Sequence, residues 1–125
     1  MSNNPAQKTY NVAVNKGGAS IYRSLSVIAT GAVIKATPGQ IYSIHAINVN
    51  AAVRYLKIYN KATAPTEADT PLLTIHLPAA DSRELLFPIG IEFLAGISIR
   101  ATTELADNGT TAPTASETIV NITYK

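Results

Sequence analysis

The sequence predicts an all-β fold, a single antiparallel β-sandwich or jelly-roll-like domain of about eight or nine strands. Three observations lead there. Short runs rich in Val, Ile, Thr and Tyr recur at short intervals along the chain. Seven glycines and seven prolines punctuate them. No segment carries apolar residues at the 3.6-residue period of an amphipathic helix.

The elements follow in order. Residues 1–9 read as a flexible arm, and residues 10–125 as the β domain. Residues 10–14 alternate as Tyr10, Val12, Val14, and Gly17-Gly18 turns the chain. Residues 21–28 and 31–36 are short β-rich runs. Thr37-Pro38-Gly39-Gln40 has Pro and Gly at the central positions of a type II turn, so residues 31–36 are expected to pair with residues 41–49. The latter run is apolar at both parities, with Ile41, Ile47 and Val49 on one face and Tyr42, Ile44 and Ala46 on the other, as in a strand covered on both sides. Asn50-Ala51-Ala52 turns the chain again. Residues 53–59 place Leu56 and Ile58 on one face and Tyr55, Lys57 and Tyr59 on the other.

Residues 62–71 form a loop holding Pro65 and Pro71. Residues 72–77 are a strand ended by Pro78, and residues 82–87 a strand ended by Pro88. Residues 91–103 read as one long strand with Ile97, Ile99 and Ala101 inward and a bulge or bend at Gly96. Residues 104–117 are a polar loop, and Thr118–Tyr124 closes the fold.

Composition narrows function. The chain has 125 residues, of which 46% are hydrophobic and only 14% charged. Such sparse charge argues against disorder and for a surface that partly faces another protein. The net charge is +2, and the basic residues form no run, so the stripe expected of a nucleic-acid binder is missing. There is no cysteine, hence no disulfide framework and no thiolate chemistry. The polar start MSNNPAQKTY does not resemble a secretion signal, and no apolar run has the length of a membrane span. The expectation is a protein made in a reducing cytosol, with no membrane partner.

No catalytic constellation stands out. His45 and His76 lie in separate strands without metal-ligand spacing. No serine sits in a Gly-x-Ser-x-Gly elbow. Glu67 and Asp69, and Asp81 and Glu84, read as solvated loop and strand ends, and the spacing of a calcium loop is absent. No cofactor is expected.

Two features suggest contact instead. Tyr55, Lys57, Tyr59 and Lys61 set aromatic and cationic groups on one strand face, an exposed or subunit-facing surface. Stacking of nucleic-acid bases or sugars on Tyr55 and Tyr59 is the alternative. The loops at 62–71 and 104–117 are long for hairpin connections and suit contact with a partner. The candidate interface residues are Tyr55, Lys57, Tyr59, Thr63, Pro65, Thr66, Asn108, Thr111 and Pro113.

Three motifs carry a family resemblance. The apolar stretch GQIYSIHAINVN is followed by Ala52-x-Arg54-Tyr55-x-Lys57-x-Tyr59-Asn60-Lys61-Ala62-Thr63-Ala64-Pro65-Thr66. Asp69-Thr70-Pro71 then introduces an apolar strand. Last comes Phe87-Pro88-Ile89-Gly90-Ile91-Glu92-Phe93-Leu94-Ala95-Gly96-Ile97. Over residues 31–125 this pattern resembles small structural proteins of tailed bacteriophages, decoration or cement proteins among them. The resemblance implies a non-enzymatic virion protein that binds the major capsid protein or another virion protein on the capsid surface. It also implies a homo-oligomer, with a trimer favoured. A tail, head-fibre or baseplate module contacting other virion proteins or a host receptor is the alternative within the virion.

Overall fold

The computed structural model describes residues 17–125. The expected arm at residues 1–9 and the strand at residues 10–14 lie outside the described residues. Among the described residues there are eight strands and no helix, and so none long and apolar enough to cross a membrane. The strands are β1 (Ser20–Ser24), β2 (Ala32–Lys35), β3 (Gly39–Asn48), β4 (Arg54–Asn60), β5 (Leu73–Leu77), β6 (Asp81–Phe93), β7 (Ile97–Thr102) and β8 (Thr118–Tyr124). They form two four-stranded sheets, ordered β1-β8-β3-β6 and β2-β7-β4-β5, and every pairing is antiparallel.

One hydrophobic cluster draws on both sheets. Ile41, Ile44, Ala46, Phe93, Val120 and Ile122 come from the first, and Leu56, Ile58, Ile75, Leu77, Ile97, Ile99 and Ala101 from the second. Fully burying each of the larger aliphatic side chains contributes roughly 1.5–3 kcal/mol. The alternation of β8 shows how the pattern selects a face: Thr118, Val120 and Ile122 are buried, while Ile119, Asn121 and Thr123 are half-buried on the other side. On β4, Leu56 and Ile58 enter the core as expected from sequence.

The ends of the sheets are tied by polar bonds. Val27 N donates to Thr118 O of the first sheet, and Ala101 N of the second sheet donates to Ile28 O, so the β1–β2 connection joins both. At the end of β3, Asn48 is buried. Its Nδ2 donates to Ala52 O at 2.9 Å, to Pro78 O at 3.1 Å and to Leu77 O at 3.3 Å, across to β5. Its Oδ1 accepts from Asn50 N, and Asn50 Oδ1 accepts from Ala52 N, which sets the expected turn.

Four expectations are corrected. Residues 31–36 and 41–49 do not pair: β2 joins β7, and β3 lies between β8 and β6. Gly39 lacks the positive φ of a type II turn and opens β3 opposite Phe93, so the chain crosses between sheets there. Second, β3 does not alternate throughout. A register shift between Ile41 and Ser43 turns Ile41 and Ile44 to the same core.

Third, β6 runs through Pro88 to Phe93 instead of ending at residue 87. Pro88 is tolerated because β6 is an edge strand, where a missing N–H breaks no inner ladder. Residues 87–90 stand opposite the single Tyr42, and Gly90 adopts φ +91° there. Fourth, residues 91–103 are two strands in different sheets, with the crossing at residues 94–96. Gly96 is the point of closest approach. A Cβ there would lie 2.7 Å from both Ala62 Cα and Lys35 O.

Both glycines are therefore structural requirements. Gly96→Ala must push backbone aside on two sides. Gly90→Ala combines an unfavourable φ with a Cβ 2.9 Å from the Tyr42 ring, which can yield. Each substitution is expected to destabilise by about 1–3 kcal/mol, with Gly96→Ala the larger, as read from urea unfolding midpoints.

Candidate functional site

The Tyr/Lys stripe of β4 is where sequence reading placed an exposed contact surface. The structure corrects that. Lys57 and Tyr59 are 0% and 1% exposed, although they point away from the core. The outer face of the second sheet is itself covered over β4 and β7, while Thr74 and His76 on edge strand β5 stay exposed. The cover is the β7–β8 connection, residues 103–117, with residues 25–31 and 61–72 beside it.

Cross-strand pairing explains the cover. Lys57 on β4 stands directly opposite Arg100 on β7. Like charges at such positions repel, and burial removes the water that would screen them. Backbone carbonyls solve the problem. Lys57 Nζ donates to Ala106 O. Arg100 Nε donates to Ala29 O at 2.8 Å, one terminal nitrogen to Tyr59 Oη at 3.1 Å and the other to Gly109 O at 2.8 Å. Burial, then the nearby Arg100 charge, pushes the Lys57 ammonium below its ordinary pKa, and Asp107 and Glu104 on the covering loop act in the opposite direction.

The loop is built to stay in place. Thr103 N donates to Thr111 O, and Glu104 Oε1 accepts from Thr111 N at 2.8 Å. At its far end Glu117 accepts from Thr114 N at 2.9 Å, from Asn50 and from Arg54 Nε at 3.2 Å. Burial alone would raise the Glu117 carboxyl, but these hydrogen bonds outweigh it and hold the group below its ordinary pKa. In the second loop, Asp69 accepts from Lys61 Nζ at 2.7 Å and from Thr66 N at 2.8 Å. The Lys61 bond, then the Thr66 bond, lowers its pKa.

The candidate residues therefore divide. Pro65 and Pro113 are buried with Lys57 and Tyr59, and contacts within the chain account for them. Pro65 packs so closely on Gly31 that a Cβ there would lie 2.3 Å from Pro65 O. Thr63, Thr66, Asn108 and Thr111 are exposed on the outside of the loop layer. Pro65 and Thr66 share a shallow depression with Thr110, Ala112 and the Arg100 side chain, so the two loops do converge. Leu105 joins them as a 62% exposed apolar side chain that sequence reading passed over. Tyr55 is half-buried at the rim, where its ring meets His76 edge-on at 5.6 Å. With Tyr59 inside, Tyr55 and Tyr59 cannot form a stacking platform.

Among the described residues, no three His, Cys, Asp or Glu side chains come together as metal ligands. His45 is half-buried on β3, and His76 is exposed on β5. Compared with protein-family models, with curated proteins and with solved structures, the chain finds no match.

Arg100→Met leaves two buried partners, Tyr59 Oη and Gly109 O, and the half-buried Ala29 O without a donor and is expected to cost about 2–4 kcal/mol in urea unfolding. It should also speed amide exchange in residues 103–111. Lys57→Met removes a buried charge along with one bond, so its effect should stay within about 1 kcal/mol. The two carboxylates give a pH dependence of fixed sign. Their folded pKa values lie below the unfolded ones, so their stabilisation is present above about pH 5 and is lost as pH falls through the folded values. Glu117→Gln should lower the urea midpoint at pH 7 and flatten the decline between about pH 5 and pH 3.

Proposed function

We propose that this chain is a non-enzymatic structural protein of a tailed-bacteriophage particle, a capsid decoration protein that binds the head shell and stabilises it. The observation that carries the reading is the strand order. The order β1-β8-β3-β6 beside β2-β7-β4-β5 supports reading the domain as an eight-stranded jelly roll, a fold of two Greek keys. Viral capsid domains are among the proteins that use it, alongside lectins and cupins. A fold alone does not fix a function. The motif resemblance over residues 31–125 and the loop layer add to it.

The loop layer is the proposed partner surface. The 103–117 connection is clamped from beneath by Arg100 and Lys57, and Asp69 ties the 61–72 loop through Lys61 and Thr66, so the outward side chains sit on loops ordered before a partner arrives. Those side chains include the uncharged Thr63, Thr66, Leu105, Asn108 and Thr111, with the exposed carboxylates Glu67 and Asp107 beside them. The uncharged part loses little on desolvation when it packs against the major capsid protein, and the two carboxylates would face polar or basic groups of that partner. The same surface would serve a tail, head-fibre or baseplate module, which is the alternative reading.

Copy number separates the two. Quantitative mass spectrometry of purified particles is expected to find this chain at a count comparable to the major capsid protein. A few copies per particle would move it to the tail, and absence from particles would overturn the virion reading. Leu105→Asp combined with Asn108→Lys should abolish rebinding to stripped shells while the unfolding midpoint of the free protein stays unchanged.

A further inference from the structure

The two sheets differ on their outer faces. That of the second is covered by loops over its central strands β4 and β7; that of the first carries no such layer among the described residues. Its side chains form rows across four strands, set by the register. One row is Ile21–Thr123–Ser43–Leu86, with Ile21 68% and Leu86 67% exposed. The next is Arg23–Asn121–His45–Glu84. Beyond it Ile119 and Ile47 lie side by side.

Within these rows the charged side chains are Arg23 and Glu84. They occupy the same row at opposite edges, on β1 and β6. Three interstrand spacings, about 14 Å, separate them. Both are exposed, and among the described residues neither forms an ion pair within its own chain.

We infer that this face pairs with the same face of a second copy about a two-fold axis parallel to the strands. Such an axis keeps each row at its own level and reverses the strand order. β1 then lies over β6 of the other copy, and β8 over β3. Arg23 meets Glu84 twice, Ile21 meets Leu86 twice, and Ile119 meets Ile47 twice. Asn121 meets His45, and the hydroxyls of Thr123 and Ser43, which bond each other at 2.6 Å within one chain, meet their counterparts. A two-fold axis across the strands through the charged row would instead set Arg23 on Arg23 and Glu84 on Glu84. The charge pattern therefore selects one of the two arrangements.

Packed sheets sit about 10 Å apart and turn by about 30°, an offset that the long Arg23 side chain spans at the sheet edge. Each face measures roughly 19 Å by 20 Å, about 760 Å² of flat area for the two together, which is the size of a weak, transient contact. The product is a weak dimer, dissociating within roughly the micromolar-to-millimolar range, where the family resemblance favours a trimer. The inference stands apart from the virion reading, since neither surface nor test is shared.

Sedimentation velocity of the full chain, from about 1 µM to about 1 mM, tests it over the range expected of a small interface. Arg23→Glu and Glu84→Arg should each weaken association by about tenfold, and the double variant R23E/E84R should return to within about threefold of the unsubstituted protein. Added salt should weaken the dimer. Unchanged association in the single variants, or no recovery in the double variant, overturns the inference. So does a monomer at every concentration, which would leave residues 1–16 or a foreign surface as the occupant of the face. Both substitutions lie on exposed positions, and thermal unfolding of each variant verifies that the fold is kept.

Discussion

Among the described residues, six of the seven connections between strands carry the chain from one sheet to the other. Only β4 and β5 follow each other within a sheet. That crossing is the constraint on which the rest of the molecule depends. The apolar faces of both sheets feed one cluster, and each crossing must close over its end without leaving backbone groups unpaired. Asn48 meets that need at one crossing by bonding three carbonyls. Residues 27 and 28 meet it at another by bonding one sheet each. Gly96 meets it by having no side chain where three segments converge.

The second sheet uses cations where a surface strand would usually be solvated. Lys57 and Arg100 are adjacent and buried on the face of the sheet opposite the apolar core. Their partners are mainly carbonyl oxygens of the covering loops. Carbonyl dipoles disperse the charge, and Glu104 and Asp107 balance it from the loop. The loop is held because the cations need it, and the cations are tolerated because the loop is there. This reciprocity turns a long irregular connection into a fixed layer, which is what a contact surface requires.

Much of the fold was legible in the sequence where alternation runs unbroken. β8 spans the residues expected of it, and β4 divides its faces as read. Legibility failed where pattern and pairing part company. Pro38-Gly39 looks like a hairpin turn, yet nothing local says that the next strand belongs to the other sheet. The shift at Tyr42 inverts parity without any sequence mark, because the compensating residues lie on β6. The candidate site was read less well for a related reason. Period-two patterning tells which face a residue takes, but not what covers that face. Lys57 and Tyr59 were placed on the correct side of β4, and their buried partners lie forty residues and more away in the chain, Ala106 of the covering loop for Lys57 and Arg100 of β7 for Tyr59. Glu117 and Arg100 carried no signal beyond being charged.

Pro88, the four-residue excursion opposite Tyr42 and the positive φ of Gly90 all fall on the outer edge of β6. An open sheet edge is a template for further strands, and this one is interrupted on three counts: a missing N–H, a broken register and a bent backbone. Continuous edge-to-edge growth into ribbons or fibrils is therefore obstructed along β6. Copies of the chain can be crowded together at high local density, as on any shared surface, and still be steered toward closed contacts made through faces and loops.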